Sequence, residues 1–204
     1  MTDYEYIISR DHAMSIHEVI VLKNDANNKN NLKYLTIAAL FAAMTAIFIT
    51  LVHIPYSSTG NINLGDAVIY LGAVLLPTPY AALAAAIGGA ISDAASGYFV
   101  YVIPTLIAKA VISLPFTSET EKTLCKKNII ALFIAAASSI AIYAVAEFFI
   151  GITVNNLPTG GALTAAAGTI LQNFIQAVGS TVLFLALSPA VDKIRKKTAR
   201  WLAN

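Results

Sequence analysis

The 204-residue sequence holds one cysteine, three histidines and only 12% charged residues. A single cysteine, Cys125, excludes an internal disulfide framework and a cysteine-rich metal site. It reads as a free thiol in a loop. His12, His17 and His53 are scattered, and no H-E-x-x-H pair occurs, so no metal site is expected. His53 falls at the outer end of the first apolar segment, where an interfacial histidine is the simplest reading. No G-x-x-x-x-G-K-[ST] phosphate loop is present, so the chain by itself is not expected to hydrolyse ATP. No G-x-S-x-G elbow is present either. These absences leave no catalytic residue to nominate, no cofactor to hold and no enzyme activity to expect. The first 30 residues also lack the basic-then-apolar order of a cleavable signal peptide.

The chain is instead rich in apolar residues. Hydrophobic types make up 57% of it, and the mean hydropathy is +0.71. A soluble domain of this length carries more charge and clearer polar faces. The expectation is an all-α integral membrane protein with one compact membrane domain. Apolar segments fall at about 33–54, 63–77, 79–97, 102–116, 128–151 and 162–190, which predicts six transmembrane helices. Residues 1–32 form a polar extension, asparagine-rich around 25–31 and expected to be flexible. Residues 33–190 form the membrane domain, and 191–204 a basic tail.

The second and fourth spans are short for a hydrocarbon layer of about 30 Å. Short spans leave loops folded into the bundle, which survive at membrane depth only when buried in protein or lining a wet cavity. Pro55, Pro77, Pro79, Pro104, Pro115, Pro158 and Pro189 all fall at or near proposed segment ends, as expected of a residue with no backbone donor. Twelve of the 13 bases lie before span one, between spans four and five, or after span six. The loops 55–62, 98–101 and 152–161 contain no Lys or Arg. The positive-inside rule therefore puts both termini in the cytoplasm. The run from Asp192 to Arg200 reads as a stop signal near lipid headgroups rather than a nucleic-acid patch.

Against that background, the charges inside the spans stand out. Asp66 opens span two, Asp93 lies near the outer end of span three, Lys109 sits mid-way along span four and Glu147 lies near the outer end of span five. A charge in a bilayer persists mainly where it pairs, lines a polar cavity or binds something. Asp66 and Tyr70 are four apart and share a helical face, as do Tyr143 and Glu147. Thr105, Lys109 and Ser113 form one polar stripe. Span six adds Gln172, Asn173 and Gln176, which can bridge helices or bond a heterocycle. Tyr98 and Tyr101 in the 97–101 loop can stack on a flat ligand or form an interfacial belt. Lys109 can equally sit in an internal ion pair with Asp66, Asp93 or Glu147. The nominated ligand-binding set is Asp66, Tyr70, Asp93, Tyr98, Tyr101, Lys109, Tyr143, Glu147, Gln172, Asn173 and Gln176. Three carboxylates against one ammonium favour a cationic or neutral, hydrogen-bonding ligand over an anion. Ala81, Ala85 and Gly89 form a small-residue stripe for close packing in span three. Ala38, Ala42 and Ala46 form another in span one, read either as a docking face for a partner helix or as packing within the bundle.

The pieces in order are Asn63-Leu-Gly65-Asp66-Ala67, Pro77 in a cytoplasmic turn, Gly88-Gly89-Ala90 with Asp93, Gly97-Tyr98, Pro104 to Lys109, and Asn173-Phe-Ile-Gln176. Over residues 33–190 this pattern resembles the substrate-binding S component of energy-coupling factor (ECF) transporters. The long polar N-terminus and Pro77-Thr-Pro79, in place of a glycine-proline turn, depart from common members. The resemblance implies a six-helix, S-component-like bundle in a prokaryotic plasma membrane. It implies a subunit that binds a vitamin from outside and topples to carry its site inward. Implied partners are a transmembrane coupling subunit, docked through the alanine stripe, and two cytoplasmic ATPases. No nucleic-acid partner is implied. For the ligand, the Gly65-Asp66 and Pro104-to-Lys109 pieces resemble subfamilies for pyrimidine precursors of thiamine, vitamin B6 forms and riboflavin. With the charge balance, a B6 vitamer or hydroxymethylpyrimidine is the first expectation, and pantothenate a weaker one. Two other readings remain: a stand-alone proton-coupled carrier, and a membrane assembly subunit whose charges only pair internally.

Overall fold

A computed structural model describes residues 16–55, 61–120 and 122–203, so residues 1–15 of the polar extension lie outside the described residues. The chain divides into two compact units, Met1–Thr36 and Ile37–Asn204. In the first, the described backbone is helical from Ile16, and Thr36 Oγ1 donates to the Leu32 carbonyl. Everything below concerns the second unit.

Six α-helices run among the described residues: α1 (Ile16–Leu51), α2 (Gly65–Leu75), α3 (Thr78–Ala95), α4 (Val102–Ser113), α5 (Lys126–Thr153) and α6 (Thr159–Ala203). The fold is all-α, as the apolar segments predict. Helix starts follow local chemistry. Pro77 holds an extended N-cap for α3, with Pro79 in the first turn, where a missing donor costs nothing. Cys125 Sγ accepts from the Asn128 amide at the start of α5.

Three stretches are long and apolar enough to cross a membrane: Asn30–Leu51, Lys126–Thr153 and Thr159–Lys193. By contrast, α2 has 11 residues and α4 has 12. At 1.5 Å per residue they span roughly 16 and 18 Å, well short of about 30 Å. The shortness expected of spans two and four is therefore real. Pro189, expected near a segment end, lies inside α6. The helix passes through it, and next to it Ser188 Oγ donates to the Phe184 carbonyl at 2.7 Å; side-chain hydroxyls of this kind help membrane helices tolerate proline.

The outer connection from α1 to α2 forms a small hairpin. Strands β1 (His53–Pro55) and β2 (Asn61–Asn63) pair antiparallel, with His53 opposite Asn63. Helix α2 is buried along nearly its whole length, from Gly65 to Val74. A helix apolar on all sides belongs in the centre of a bundle.

Helix α3 works as a spacer with two faces, set by adjacent glycines. A Cβ on Gly88 would lie 2.6 Å from the Ala42 carbonyl and 2.8 Å from Thr45 Cβ. A Cβ on Gly89 would lie 2.7 Å from Lys109 Cγ and 2.9 Å from Thr105 Cγ2. Gly88 thus seats α1, and Gly89 seats the polar stripe of α4. At the opposite end of the bundle, Asn128 is fully buried. It bonds the Thr117 amide at 2.8 Å and the carbonyls of Thr117 and Thr123. Thr123 in turn donates to Asp192 from both its amide and its hydroxyl. These bonds lock the α4–α5 connection onto the ends of α5 and α6.

Candidate ligand-binding site

A polar cavity opens at the end of the bundle whose loops carry no Lys or Arg. Its walls come from the C-terminal ends of α1, α3 and α5, from α4 as far as Lys109, the first half of α6, β2 and the 97–101 loop. Its volume is about 90 Å³, room for a few waters. That is small beside the roughly 300–1,000 Å³ typical of small-molecule sites.

Nine of the nominated residues line it: Asp93, Tyr98, Tyr101, Lys109, Tyr143, Glu147, Gln172, Asn173 and Gln176. The helical periods explain how. Asp93 falls one turn beyond Gly89 on α3, Tyr143 and Glu147 share a face of α5, and Gln172 and Gln176 share a face of α6. In the loop, Tyr98 and Tyr101 turn inward and meet edge to face, with ring centroids 6.4 Å apart. Phe99 between them stays 71% exposed. Tyr101 donates its hydroxyl to Glu147 Oε2 at 2.6 Å.

Asp66 and Tyr70, nominated with the others, are not among the residues that line the cavity. Asp66 lies directly behind the wall. Lys109 Nζ donates to Asp66 Oδ1 at 2.5 Å, and both side chains are 2% exposed. Gln176 Nε2 donates to Asp66 Oδ2 at 2.8 Å. Gln176 Oε1 accepts from the Asn63 backbone and side-chain nitrogens at 3.2 and 3.1 Å. Asn63 Oδ1 takes the Gly65 amide at the first turn of α2. Asp66 is thus a positioning residue that fixes Lys109 and Gln176. Tyr70 sits one turn deeper and belongs to the apolar core. It stacks on Phe116 at 5.1 Å and meets Phe184 edge-on at 5.9 Å.

Lys109 also lies over the Tyr143 ring, 5.6 Å from its centroid, a geometry that stabilises a cation out of water. Tyr143 donates to Thr105 Oγ1 at 2.9 Å. Thr105 also hydrogen-bonds the Asp93 carboxylate. Asp93 Oδ2 is buried with no hydrogen-bond partner among the described residues. Asn173 holds its place through the Thr169 carbonyl at 3.0 Å and Ser139.

Asn63, Ser92, Ser96, Thr105, Thr169 and the apolar Ile49 also line the cavity and were not nominated. Small hydroxyl residues in membrane helices often bond their own backbone, as Thr169 does to Ala165. Only depth within the bundle distinguishes the ones that matter. Asn63 carried a signal: it precedes Gly65-Asp66 in the motif that opens α2.

Ala38 and Ala42, nominated for partner docking, are only 3% and 7% exposed. They face inward, and the Ala42 carbonyl is packed beside Gly88. Ala46 is half-buried, whereas Ala39 and Ala43 face outward. The stripe at 38, 42 and 46 therefore packs within the bundle, because its small side chains let α1 approach α3.

A sequence model of the family described as ECF-type riboflavin transporter, S component, matches residues 29–193. The chain belongs to that family. Among curated proteins none matches it. ECF S components are substrate-binding subunits of vitamin transporters and not enzymes. They bind a vitamin and work with a module of a transmembrane subunit and ATPases. This S component thus has, at one end of its helical bundle, a cavity walled by tyrosines, hydroxyls, amides and two carboxylates, braced from behind by a buried ion pair.

Proposed function

We propose that this S component captures riboflavin at the outer face of a prokaryotic cell membrane and passes it inward with the aid of a coupling subunit and two cytoplasmic ATPases. The match of residues 29–193 to a riboflavin transporter family carries the reading. The cavity chemistry supports it. Riboflavin is a flat ring system with an imide edge and a polyol tail. Tyr98, Tyr101 and Tyr143 offer aromatic surface. Gln172, Asn173 and Lys109 offer groups for ring oxygens and nitrogens, and Asp93 and Glu147 offer acceptors for hydroxyls. The subfamily resemblance taken with the charge balance pointed to a B6 vitamer or hydroxymethylpyrimidine. The family match moves the first choice to riboflavin, which is neutral and rich in donors, so the charge argument is kept.

The cavity of about 90 Å³ is small for a tricyclic ring with its tail, so on this reading its walls part when the ligand binds. On the partner side, the outward residues Ala39 and Ala43 of α1 are the docking positions this geometry supports, in place of Ala38 and Ala42.

Native mass spectrometry of the purified protein, followed by titration with riboflavin and read by quenching of its fluorescence, tests the ligand. A co-purifying riboflavin with saturable quenching is expected. Co-purification of pyridoxine or hydroxymethylpyrimidine, with no quenching by the protein, would reject riboflavin.

A further inference from the structure

We propose that Asp93 and Glu147 make this cavity select the uncharged, hydroxyl-bearing form of its ligand and reject the same ligand's phosphate monoester. The inference rests on the riboflavin reading, for which the ester is riboflavin 5′-phosphate.

The argument starts from the charges on the wall. Lys109 is the only base among the described lining residues, and it is held by Asp66 at 2.5 Å. Drawing Lys109 toward a ligand would leave a carboxylate that is 2% exposed without its cation. A buried charge stripped of its partner is strongly unfavourable. Lys109 is therefore already committed to a carboxylate where it stands, and the carboxylates Asp66, Asp93 and Glu147 outnumber it three to one.

With that pair closed, two carboxylates remain on the cavity side. Glu147 is 7% exposed and already takes the Tyr101 hydroxyl. Asp93 presents Oδ2, buried and unpartnered among the described residues. A buried acceptor of this kind is satisfied by a donor such as a hydroxyl or a ring N–H. A phosphate monoester brings a charge of about −1.5 to −2 at neutral pH, and its oxygens are acceptors. The hydroxyls of Ser92, Tyr98 and Tyr143 can bond such a group but cannot neutralise it. Placing it beside Asp93 and Glu147 sets like charges together in a poorly hydrated space. A free hydroxyl at the same place supplies the donor that Asp93 lacks.

Paired titrations of the purified protein with riboflavin and riboflavin 5′-phosphate test this. The ester is expected to bind about 100-fold more weakly. Asp93→Asn is expected to narrow that ratio about 10-fold, and Asp93→Glu to keep it. Glu147→Gln gives the same test if the Asp93 variants fail to fold. Damage to the fold alone would weaken both ligands alike and leave the ratio intact. Equal affinity of the wild type for the two ligands overturns the inference and leaves the riboflavin reading standing. If neither binds, the riboflavin reading falls, and pyridoxine and hydroxymethylpyrimidine with their phosphates decide the inference. No preference for the free alcohol in those pairs, or no binding of any of them, overturns it.

Discussion

Asp66 occupies the second residue of α2, has almost no contact with solvent, and still decides how the cavity wall is held. Lys109→Ala would leave that carboxylate buried with no cation, bonded by Gln176 Nε2. The cost is about 3–5 kcal/mol, to be measured by thermal unfolding in detergent. The double variant Asp66→Leu with Lys109→Met removes both charges and should recover most of that loss, yet ligand affinity should stay low. Gly89 belongs to the same arrangement. Gly89→Ala drives a methyl against Lys109 Cγ and Thr105 Cγ2, and riboflavin affinity should fall roughly 10-fold as the polar stripe shifts. Most cavity residues were legible because a charge or amide in an apolar span needs a reason to be there. Tyr70 misled because an i, i+4 spacing gives a shared face but not a shared depth. Asp66 reaches the back of the site, whereas one turn further on Tyr70 meets only Phe116 and Phe184.

Among the elements, α1 and α3 show how little a small-residue stripe says about direction. Alanines at four-residue spacing permit a close approach, and the approach can be to a neighbour in the bundle or to another protein. Here Ala42 and Thr45 of α1 fit over Gly88 of α3. Ala42→Leu should therefore destabilise the bundle by about 1–3 kcal/mol through overpacking and lower binding as well as uptake. Ala43→Leu, on the outward side, should leave melting temperature and riboflavin affinity unchanged while reducing ATP-driven uptake by the assembled transporter. If Ala43→Leu transports normally, that face is not where the coupling subunit docks. Helix number, the shortness of α2 and α4 and the proline-marked starts were readable from apolar lengths. The hairpin was not, since strands of three residues leave no periodic trace in a loop of polar residues. The passage of α6 through Pro189 was also missed, because a proline near the end of an apolar run reads as a stop.

For the whole molecule, the sequence gives an orientation that can be checked with the protein's own chemistry. Cys125 is the lone cysteine and caps α5 at the basic end of the bundle. Burial pushes its thiol up, but hydrogen bonds from Asn128, Thr120 and Lys127 outweigh that and bring it below its ordinary value. A low thiol value favours the reactive thiolate. A membrane-impermeant maleimide should therefore label inside-out vesicles readily and intact cells poorly. The reverse pattern would invert the topology. Transport makes a second check. Vesicles holding the S component alone should bind riboflavin without accumulating it, and accumulation should require the coupling subunit, the ATPases and ATP. Accumulation driven by a proton gradient alone would favour the stand-alone carrier.

Gln176 has one end on the buried carboxylate and the other on the last residue of the hairpin. The two regions therefore share one side chain, and thermodynamic reciprocity applies to them. Any ligand that shifts Lys109, and with it Asp66, changes how firmly Gln176 holds Asn63. Lifting the hairpin changes the stability of the Asp66–Lys109 pair by the same free energy. Slower hydrogen exchange at the Asn63 amide when ligand is bound would report the deep pair from the rim, without any probe placed in the cavity.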